Sequence, residues 1–256
     1  MKIYMISLKR DIERREQMQK KFPRYYPKFH IIDAVDAKDE SSAEIIQKYD
    51  KPCPHDKRRP LTKGEKCCAI SHLLALEDFL QSGDERCIII EDDIFGNDRD
   101  FDEAIYLTQQ TKSEDLVILG GQQGLKNSSY LFGYKLKDNF WSVSKLSSEF
   151  ITRACCYAIS RDAANIILQV QYACLTRSDF WAKYEKEIDI YYSNIFFHPV
   201  DLTNSNLEEF RKKSFLQKIY EDGMFYLFKR QLLKLKLKLF FLNADLVRLP
   251  ILKNKV

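Results

Sequence analysis

The sequence predicts an α/β fold with a largely parallel sheet, followed by a basic helical segment. Short apolar runs typical of buried strands alternate with amphipathic helical segments, which is the pattern of βαβ units. Hydrophobic residues make up 45% of the 256-residue chain, enough for a substantial core. Residues 211–256 hold 12 basic and three acidic residues, a net charge of +9, whereas residues 1–210 carry −5. We therefore divide the chain into a domain of residues 1–210 and a C-terminal segment of residues 211–256.

The first third of the domain predicts two strands with a charged helix between them, then a loop and a second helix. In order, these are a strand at Lys2–Leu8, a helix at Asp11–Phe22, a strand at Phe29–Val35 and an irregular loop at Lys51–Pro60, which contains three prolines. Thr62 and Glu65 have the spacing of a capping box, so we expect a helix that opens there and runs to about Leu80.

Three apolar runs further along predict strands that are buried on both faces of a sheet. They are Cys87–Ile90, Leu116–Gly121 and Ala154–Ile159, and a helix from Arg161 to about Val170 follows the last of them. Together with the elements before them, they favour a parallel sheet whose strands are joined by helices.

The C-terminal segment predicts a long amphipathic helix. Its apolar residues recur every three or four positions until Pro250. They are Phe225, Phe228, Leu232, Leu235, Leu239, Leu242, Leu246 and Leu249. Leu233–Leu239 also alternates with period two, so an edge strand is the competing interpretation. A basic helix with this stripe can pack on its own domain, on a partner helix or on an anionic membrane surface.

Partners and location follow from the same patterns. Nucleic acid is a poor partner, because the basic residues alternate with leucines and lack an aromatic stacking platform. The apolar run at the N-terminus is too short for a signal peptide, and no uncharged run is long enough to span a bilayer. We therefore expect a cytoplasmic protein, peripheral on the inner membrane, of unspecified oligomeric state. Seven cysteines without zinc-type spacing predict reduced, mostly buried thiols.

Three consecutive carboxylates, Glu91, Asp92 and Asp93, directly follow the buried strand Cys87–Ile90. Ligands of open α/β sheets bind at the carboxyl ends of the strands. Adjacent carboxylates repel one another unless a proton or a cation offsets their charge. The triplet therefore predicts a site for a hard divalent cation, shared with a phosphate-bearing ligand. A solvated acidic turn is the alternative.

Four segments in order resemble glycosyltransferase family 25, the lipooligosaccharide galactosyltransferase group. They are Ile3–Glu16 (IYMISLKRDIERRE), Leu61–Leu73 (LTKGEKCCAISHL), Ile88–Asp93 (IIIEDD), and a block from Ala154 to Asp179. The family patterns are INLKRRPDRRE, GEIGCALSH, LEDD and AYLISRKGA…PVD, at similar separations. Two departures stand out: Cys67 replaces a glycine, and Arg177-Ser178 replaces Pro-Val before Asp179.

The resemblance implies a GT-A fold, a UDP-galactose donor, inversion at the anomeric carbon, and Mn²⁺ or Mg²⁺ as cofactor. Asp92 and Asp93 are then metal-contacting carboxylates, with Glu91 orienting them or facing the sheet. His198 is a third metal ligand that GT-A folds sometimes supply. Asp179 is the base that takes the acceptor proton. Asp189 or Asp201 takes that role if the fourth block aligns differently.

The resemblance also implies a set of donor-binding residues. They are Ser7, Leu8, Arg10, Arg14, Glu65, Ser71, His72 and Asp92. Guanidinium groups pair well with diphosphate, although the arginines also suit a solvated helix face. His72 also suits an ordinary hydrogen-bonded helix position. Gln122 and Gln123 could read sugar hydroxyls or lie in a solvated turn, and acceptor choice is expected in residues 51–59 and 122–139.

The expected function is transfer of galactose to a lipooligosaccharide core sugar, with a β-1,4 linkage. Another UDP-hexose, glucose or N-acetylglucosamine, is the nearest alternative. A non-catalytic, membrane-associated protein on a GT-A scaffold is a second one. A metal-dependent phosphotransferase or nuclease is a third, although the sequence has no Gly-x-x-x-x-Gly-Lys-Ser/Thr loop.

Overall fold

A mixed β-sheet flanked by helices on both faces forms the centre of the fold. The computed structural model describes residues 1–51, 53, 60–111, 113–125, 127–199, 224–240 and 246–251. Its strands are β1 Lys2–Ser7, β2 Phe29–Asp33, β3 Arg86–Glu91, β4 Asp115–Gly120, β5 Phe132–Lys137, β6 Phe140–Val143, β7 Cys156–Ser160, β8 Asp189–Phe196 and β9 Val247–Arg248. Its helices are α1 Ile12–Lys21, α2 Ser42–Tyr49, α3 Lys63–Gln81, α4 Asp98–Thr108, α5 Arg161–Ala173 and α6 Met224–Phe240.

The strand order is β2-β1-β3-β7-β4-β8-β6-β5-β9, which confirms the predicted α/β class. Within the described residues, six of the nine strands run in one direction, and β7, β6 and β9 run against them. The predicted strand at Ala154–Ile159 therefore exists as β7, but it lies antiparallel between β3 and β4 rather than extending a parallel sheet. Apolar composition shows that a strand is buried, and strand direction depends on the path of the connections.

The two faces of the sheet bury separate apolar clusters. One contains Ile70, Leu73, Leu76 and Phe79 of α3, together with residues of α5. The other contains Met18 of α1 and residues of α4. All three isoleucines of β3 are fully buried, as the continuous apolar run predicted. The sheet therefore holds the acidic triplet at the end of a strand that is anchored on both faces.

Local sequence signals set the start of α3 and the end of β4. The hydroxyl of Thr62 accepts from the backbone N–H of Glu65, and the Glu65 carboxylate accepts from the Thr62 N–H at 2.9 Å, so the predicted capping box opens α3. Gly120 ends β4 with φ +130°, and a Cβ there would lie 2.0 Å from the Phe196 carbonyl oxygen. Only glycine allows this close approach of β4 to β8.

The C-terminal segment differs from the predicted continuous helix. Within the described part, helix α6 ends at Phe240, and Val247–Arg248 then pair with β5 as β9. Leu246 and Leu249 are buried, so their 3,4 spacing reflects a strand that packs on the domain and not further helical turns. The edge-strand interpretation of Leu233–Leu239 is also wrong, because these residues are helical. Leu242 and the boundary at 210/211 lie outside the described residues.

Two further expectations are corrected. Cys53 and Cys174 form a disulfide, whereas Cys67, Cys68, Cys87, Cys155 and Cys156 are thiols. Residues far apart in sequence can meet at one loop, and cysteine spacing does not reveal this. The range 122–139 is not irregular throughout, because it contains β5. Most of the predicted loop at Lys51–Pro60 lies outside the described residues.

Candidate functional site

A cleft of about 300 Å³ opens at the carboxyl ends of β1, β2 and β3. These three strands are parallel, so the residues that follow them meet at one edge of the sheet. The start of α1 and the first half of α3 complete the wall. The predicted site residues that line the cleft are Ser7, Leu8, Arg10, Arg14, Ser71, His72, Asp92 and Asp93.

The acidic triplet lies in the floor of this cleft and is not a solvated turn. Asp92 is 6% exposed, and Asp93 and Glu91 are half-buried. Arg14 donates from Nη1 to Asp92 Oδ1 at 3.0 Å and to Asp93 Oδ2 at 3.4 Å. Asp92 Oδ2 and Asp93 Oδ1 are buried without a hydrogen-bond donor from the described residues. A buried carboxylate oxygen without a donor is costly, so these atoms suit a cation.

The three carboxyl groups have different proton affinities. Burial, together with the negative charge of Glu91, raises the pKa of Asp93 to about 6. Burial also raises the pKa of Asp92, although the nearby Ser7 hydroxyl and the Arg14 guanidinium oppose the rise. For Glu91, burial is outweighed by the hydrogen bond and charge of His72, so its pKa is lowered. Clusters with such divergent pKa values are typical of functional sites.

His198 brings a nitrogen ligand to the same place. Its Nδ1 lies 2.8 Å from the Pro199 carbonyl oxygen, which can only accept, so Nδ1 carries a proton. The other ring nitrogen, Nε2, lies 3.6 Å from Asp93 Oδ2. In neutral His198 this nitrogen is a lone-pair donor that faces a carboxylate, and either a proton or a cation between them relieves the repulsion.

The structure groups Glu91, Asp93 and His198 as one set of possible metal ligands, with ligand atoms within 4.8 Å of one another. The sequence assigned Asp92, Asp93 and His198 to this role. Glu91 is the last residue of β3, and Asp93 lies in the turn that follows it. Asp92 and Asp93 both accept from Arg14. Two carboxylates and one imidazole fit Mn²⁺, which accepts oxygen and nitrogen ligands. The residues present therefore fit the implied cofactor.

His72 is buried and makes two hydrogen bonds. Its Nε2 lies 3.3 Å from Glu91 Oε1, and its Nδ1 lies 3.1 Å from the Tyr157 hydroxyl. His72 therefore lines the cleft, as expected of a donor-site residue, and is also hydrogen-bonded by its neighbours, as expected of an ordinary helix position. Tyr157 fixes the ring orientation of a residue that holds Glu91. Sequence reasoning missed Tyr157, because it sits inside an apolar strand without any polar pattern.

The basic residues of the predicted donor site, Arg10 and Arg14, line the cleft and form ion pairs. Arg10 pairs with Asp36, and Arg14 pairs with the acidic triplet. Arg15, in contrast, donates to Ser7 Oγ at 3.0 Å and to Asp33 at 3.1 Å. Arg14 therefore lies at the triplet and Arg10 lines the same cleft, where both could meet a diphosphate.

Two predicted donor residues make structural contacts. Ser71 Oγ accepts from the Val35 backbone N–H at 2.9 Å and donates to the Cys67 carbonyl at 2.7 Å, so it ties the loop after β2 to α3. Glu65 uses its carboxylate in the capping box of α3. Neither contact tests donor binding, and both assignments stay predictions.

The predicted base, Asp179, lies in the loop after α5 and is not among the residues that line the cleft. Its Oδ2 accepts from the backbone N–H of Arg153 at 3.3 Å. The Arg153 guanidinium donates to the carbonyls of Gly121 and Gln123 at the end of β4. Next to Asp179, Ser178 Oγ lies 3.5 Å from Cys68 Sγ in the cleft wall.

Of the two alternatives to Asp179 as the base, the structure describes only Asp189. Asp189 begins β8, and its register with Asp115 at the start of β4 puts it at the opposite edge of the sheet. It is therefore excluded as the base by topology. Asp201 lies outside the described residues.

Gln122 and Gln123 are fully buried, so a solvated turn is wrong for both. Gln122 Nε2 donates to the Thr152 carbonyl, and Gln122 Oε1 accepts from the Thr152 N–H. These bonds connect the end of β4 to the loop before β7. Gln123 Nε2 donates to Asn194 at 3.1 Å, while its Oε1 is buried and accepts from none of the residues that the structure describes. The Gln122 side chain is therefore used in contacts within the protein, whereas Gln123 Oε1 is free to accept from a donor on a ligand.

Comparison with known proteins points in one direction. Residues 1–182 match the family described as glycosyltransferase family 25 (LPS biosynthesis protein). The lipooligosaccharide biosynthesis protein lic2B of Haemophilus influenzae is 31% identical over 197 residues, which cover 75% of this chain and 70% of that protein. Procollagen galactosyltransferase 2 of Homo sapiens is 31% identical over 99 residues, which cover 36% of this chain and 15% of that protein.

A solved structure also resembles this chain. It is described as mannose-1-phosphate geranyltransferase from Thermus thermophilus. It aligns with a TM-score of 0.42 and 14% identity, over 77% of this chain and 74% of that one.

Proposed function

Since the chain belongs to glycosyltransferase family 25, we propose that it transfers galactose from UDP-galactose to a lipooligosaccharide core sugar, with inversion and with bound Mn²⁺ or Mg²⁺. The observation that carries the proposal is the pair of unsatisfied, buried oxygens on Asp92 and Asp93 in the floor of the cleft. The names of the relatives support the sugar and the acceptor, since one acts in lipooligosaccharide biosynthesis and another is a galactosyltransferase.

Glu91, Asp93 and His198 are the residues that would hold the cation, with Asp92 beside them. A divalent cation bound there would neutralise charge on the departing diphosphate. Arg10 and Arg14 flank this position and orient the diphosphate through charge-assisted hydrogen bonds. His72 keeps the Glu91 carboxylate in place through the contact at 3.3 Å.

Inversion requires attack by an acceptor hydroxyl on the face of the sugar opposite UDP. A bond forms between the acceptor oxygen and the anomeric carbon, the bond from that carbon to the UDP oxygen breaks, and its electron pair leaves with UDP. Asp179 accepts the hydroxyl proton. Asp179 is half-buried, and its Oδ2 accepts from the Arg153 backbone N–H at 3.3 Å.

The first experiment measures UDP release by purified protein with UDP-galactose, Mn²⁺ and a terminal-glucose acceptor. We expect Asp93→Asn to lower the rate by roughly 10²-fold or more, the scale of removing one electrostatic stabiliser. Asp138→Asn is the matched control, because the Asp138 side chain is fully exposed in a hairpin turn. Full activity of Asp93→Asn would contradict the metal assignment.

Parallel reactions with UDP-glucose and UDP-N-acetylglucosamine test the sugar. A higher kcat/KM with either of these donors would assign the chain to another hexose. Nucleotide binding without UDP release from any donor would favour the non-catalytic alternative. Release of phosphate or cleavage of nucleic acid, without sugar transfer, would favour the phosphotransferase or nuclease.

We propose that this reaction takes place at the cytoplasmic face of the inner membrane. Helix α6 supports contact with a membrane surface, because it has two distinct faces. Leu233 and the fully buried Leu237 pack on the domain, and Arg230 and Lys234 lie over the Phe150 ring. The opposite face exposes four apolar side chains by 45 to 69%. They are Phe228, Leu232, Leu235 and Leu239.

Charged residues flank this exposed apolar stripe. Lys229 and Lys236 lie on one side of it and Lys238 on the other, and all three are exposed. This arrangement fits an anionic lipid surface, where apolar side chains enter the interface and lysines reach phosphate groups. Each basic residue adds about 1 kcal/mol near such a surface. Within the described residues, no helix combines the length and hydropathy needed to cross a bilayer.

Vesicle sedimentation tests this placement. We expect binding to vesicles with anionic lipid, weaker binding to neutral vesicles, and loss of binding at high salt. Leu232→Glu with Leu235→Glu should abolish binding, whereas Leu136→Glu, at a half-exposed position on β5, should not. Concentration-dependent dimerisation that the double variant abolishes, without vesicle binding, would assign the stripe to a second copy of the chain.

A further inference from the structure

A second cluster of possible metal ligands lies in the wall of the cleft. The sulfur of Cys68, the imidazole of His72 and the carboxylate of Glu91 present ligand atoms within 4.8 Å of one another. Cys68 and His72 are four residues apart on α3, so they lie on the same face of the helix. Glu91 reaches them from the end of β3 and belongs to both clusters.

We propose that Cys68, His72 and Glu91 form a site for a thiophilic divalent cation such as Zn²⁺, distinct from the Mn²⁺ or Mg²⁺ site. One thiolate, one imidazole and one carboxylate match the ligands of zinc, and three protein ligands leave a position open towards the cleft. The charges also balance, because a thiolate and a carboxylate together offset the two charges of the ion.

One pair of ligand atoms already has the separation that a bound ion requires. Ligand atoms about 2.0–2.1 Å from a tetrahedral zinc ion lie roughly 3.3 Å apart. His72 Nε2 and Glu91 Oε1 are separated by 3.3 Å. Cys68 is a half-buried thiol outside the disulfide, so the cation can reach it from the cleft.

Tyr157 supplies the outer contact that such a site needs. Its hydroxyl lies 3.1 Å from His72 Nδ1 and can either donate or accept. When a cation takes the lone pair of Nε2, the single ring proton of neutral His72 resides on Nδ1, which then donates to the Tyr157 hydroxyl. Outer contacts of this kind fix the ligand ring and typically change metal affinity by 10- to 100-fold.

The consequence is competition for Glu91. A thiophilic ion on Cys68 and His72 withdraws Glu91 from Asp93 and His198. The predicted inhibition of sugar transfer rests on the proposed function. Cation binding to Cys68, His72 and Glu91 does not, because it can be measured without donor or acceptor. We expect Zn²⁺ to inhibit Mn²⁺-dependent UDP release.

Co²⁺ titration of the protein with its Cys53–Cys174 disulfide intact tests the site, because a cobalt–thiolate bond gives a charge-transfer absorption that oxygen and nitrogen ligands do not. We expect the band in the wild type and in Cys67→Ser, and its loss in Cys68→Ser. Cys67 is a matched control, since it is a thiol next to Cys68 and outside the ligand set. Tyr157→Phe should keep the band and weaken Co²⁺ binding by about 10- to 100-fold.

A second measurement uses the unaltered chain. Zn²⁺ should slow alkylation of Cys68 in a peptide-resolved mass-spectrometric assay, and Mg²⁺ should not. Absence of the cobalt band in the wild type, or its persistence in Cys68→Ser, would overturn the second site while leaving the proposed transfer intact. Failure of the protein to bind Mn²⁺ or to release UDP would instead count against the proposed function.

Discussion

Arg14 donates to Asp92 across 3.0 Å, from a helix near the N-terminus to a strand end 78 residues later in the chain. The same nitrogen also contacts Asp93 at 3.4 Å. The guanidinium therefore supplies positive charge to the two carboxylates that have unsatisfied oxygens. A cation that binds these carboxylates must share them with Arg14 or displace it, and a displaced Arg14 can then meet a diphosphate.

Replacing Arg14 should separate cation binding from nucleotide binding. In Arg14→Gln we expect Mn²⁺ to bind about 3- to 10-fold more tightly in the absence of nucleotide, because a repelling and competing charge is gone. UDP should bind more weakly in the presence of Mn²⁺. Isothermal titration measures both. Arg15→Gln is the control, because Arg15 contacts Ser7 and Asp33 instead of the triplet; equal affinities in all three proteins would refute the competition.

Ionisation of Asp93 should lower the unfolding free energy of the metal-free protein. Its pKa is raised from 3.8 to about 6 in the folded chain, so the folded state binds the proton more tightly than the unfolded state. The unfolding free energy should therefore fall as pH rises from about 4 to above 6, by about 3 kcal/mol at most from this group. Denaturant titrations at pH 5 and 7.5 measure this, and Asp93→Asn should remove that part of the slope. If the unfolding free energy of Asp93→Asn depends on pH as strongly as that of the wild type, Asp93 is not the cause of this pH dependence.

Arg86 and Asp115 form a buried ion pair far from the cleft. Asp115 is fully buried, and Arg86 Nη1 lies 2.5 Å from its Oδ1. Arg86→Ala leaves that carboxylate without its counter-charge, which should cost about 3–5 kcal/mol of unfolding free energy. Lys135→Ala is the comparison, because the exposed Lys135–Asp138 pair should contribute less than about 1 kcal/mol. Similar losses in both variants, measured by urea titration, would contradict this ranking.

The disulfide between Cys53 and Cys174 closes a loop of 121 residues. A cross-link over so long a loop limits the unfolded chain, and we expect its removal to lower the unfolding free energy by about 2–4 kcal/mol. Cys53→Ser with Cys174→Ser, compared with the wild type before and after reduction, measures the effect. Reduction should destabilise the wild type and leave the double variant unchanged; a loss on reduction in both would point to another cause.

Local sequence patterns predicted the elements whose signals are short in range. The capping box at Thr62 and Glu65 opens α3 as expected, because both partners lie within one helical turn. The continuous apolar run before Glu91 became a fully buried strand, because burial on both faces requires such a run. The weakly patterned strands β5, β6 and β8 had no comparable signal, since their partners across the sheet are distant in sequence.

By itself, the sequence determined that a cluster of carboxylates ends a buried strand, and that a basic apolar stripe follows the domain. Only the tertiary structure decided which side chains share a site. It joined Glu91 with Asp93 and His198, brought Glu91 to Cys68 and His72, and showed that Asp189 lies at the opposite end of the strands. It also turned the stripe of α6 away from the domain and made Val247–Arg248 a strand. The physical reason is that composition and spacing fix local conformation, whereas strand order and packing fix distances between residues far apart in the chain.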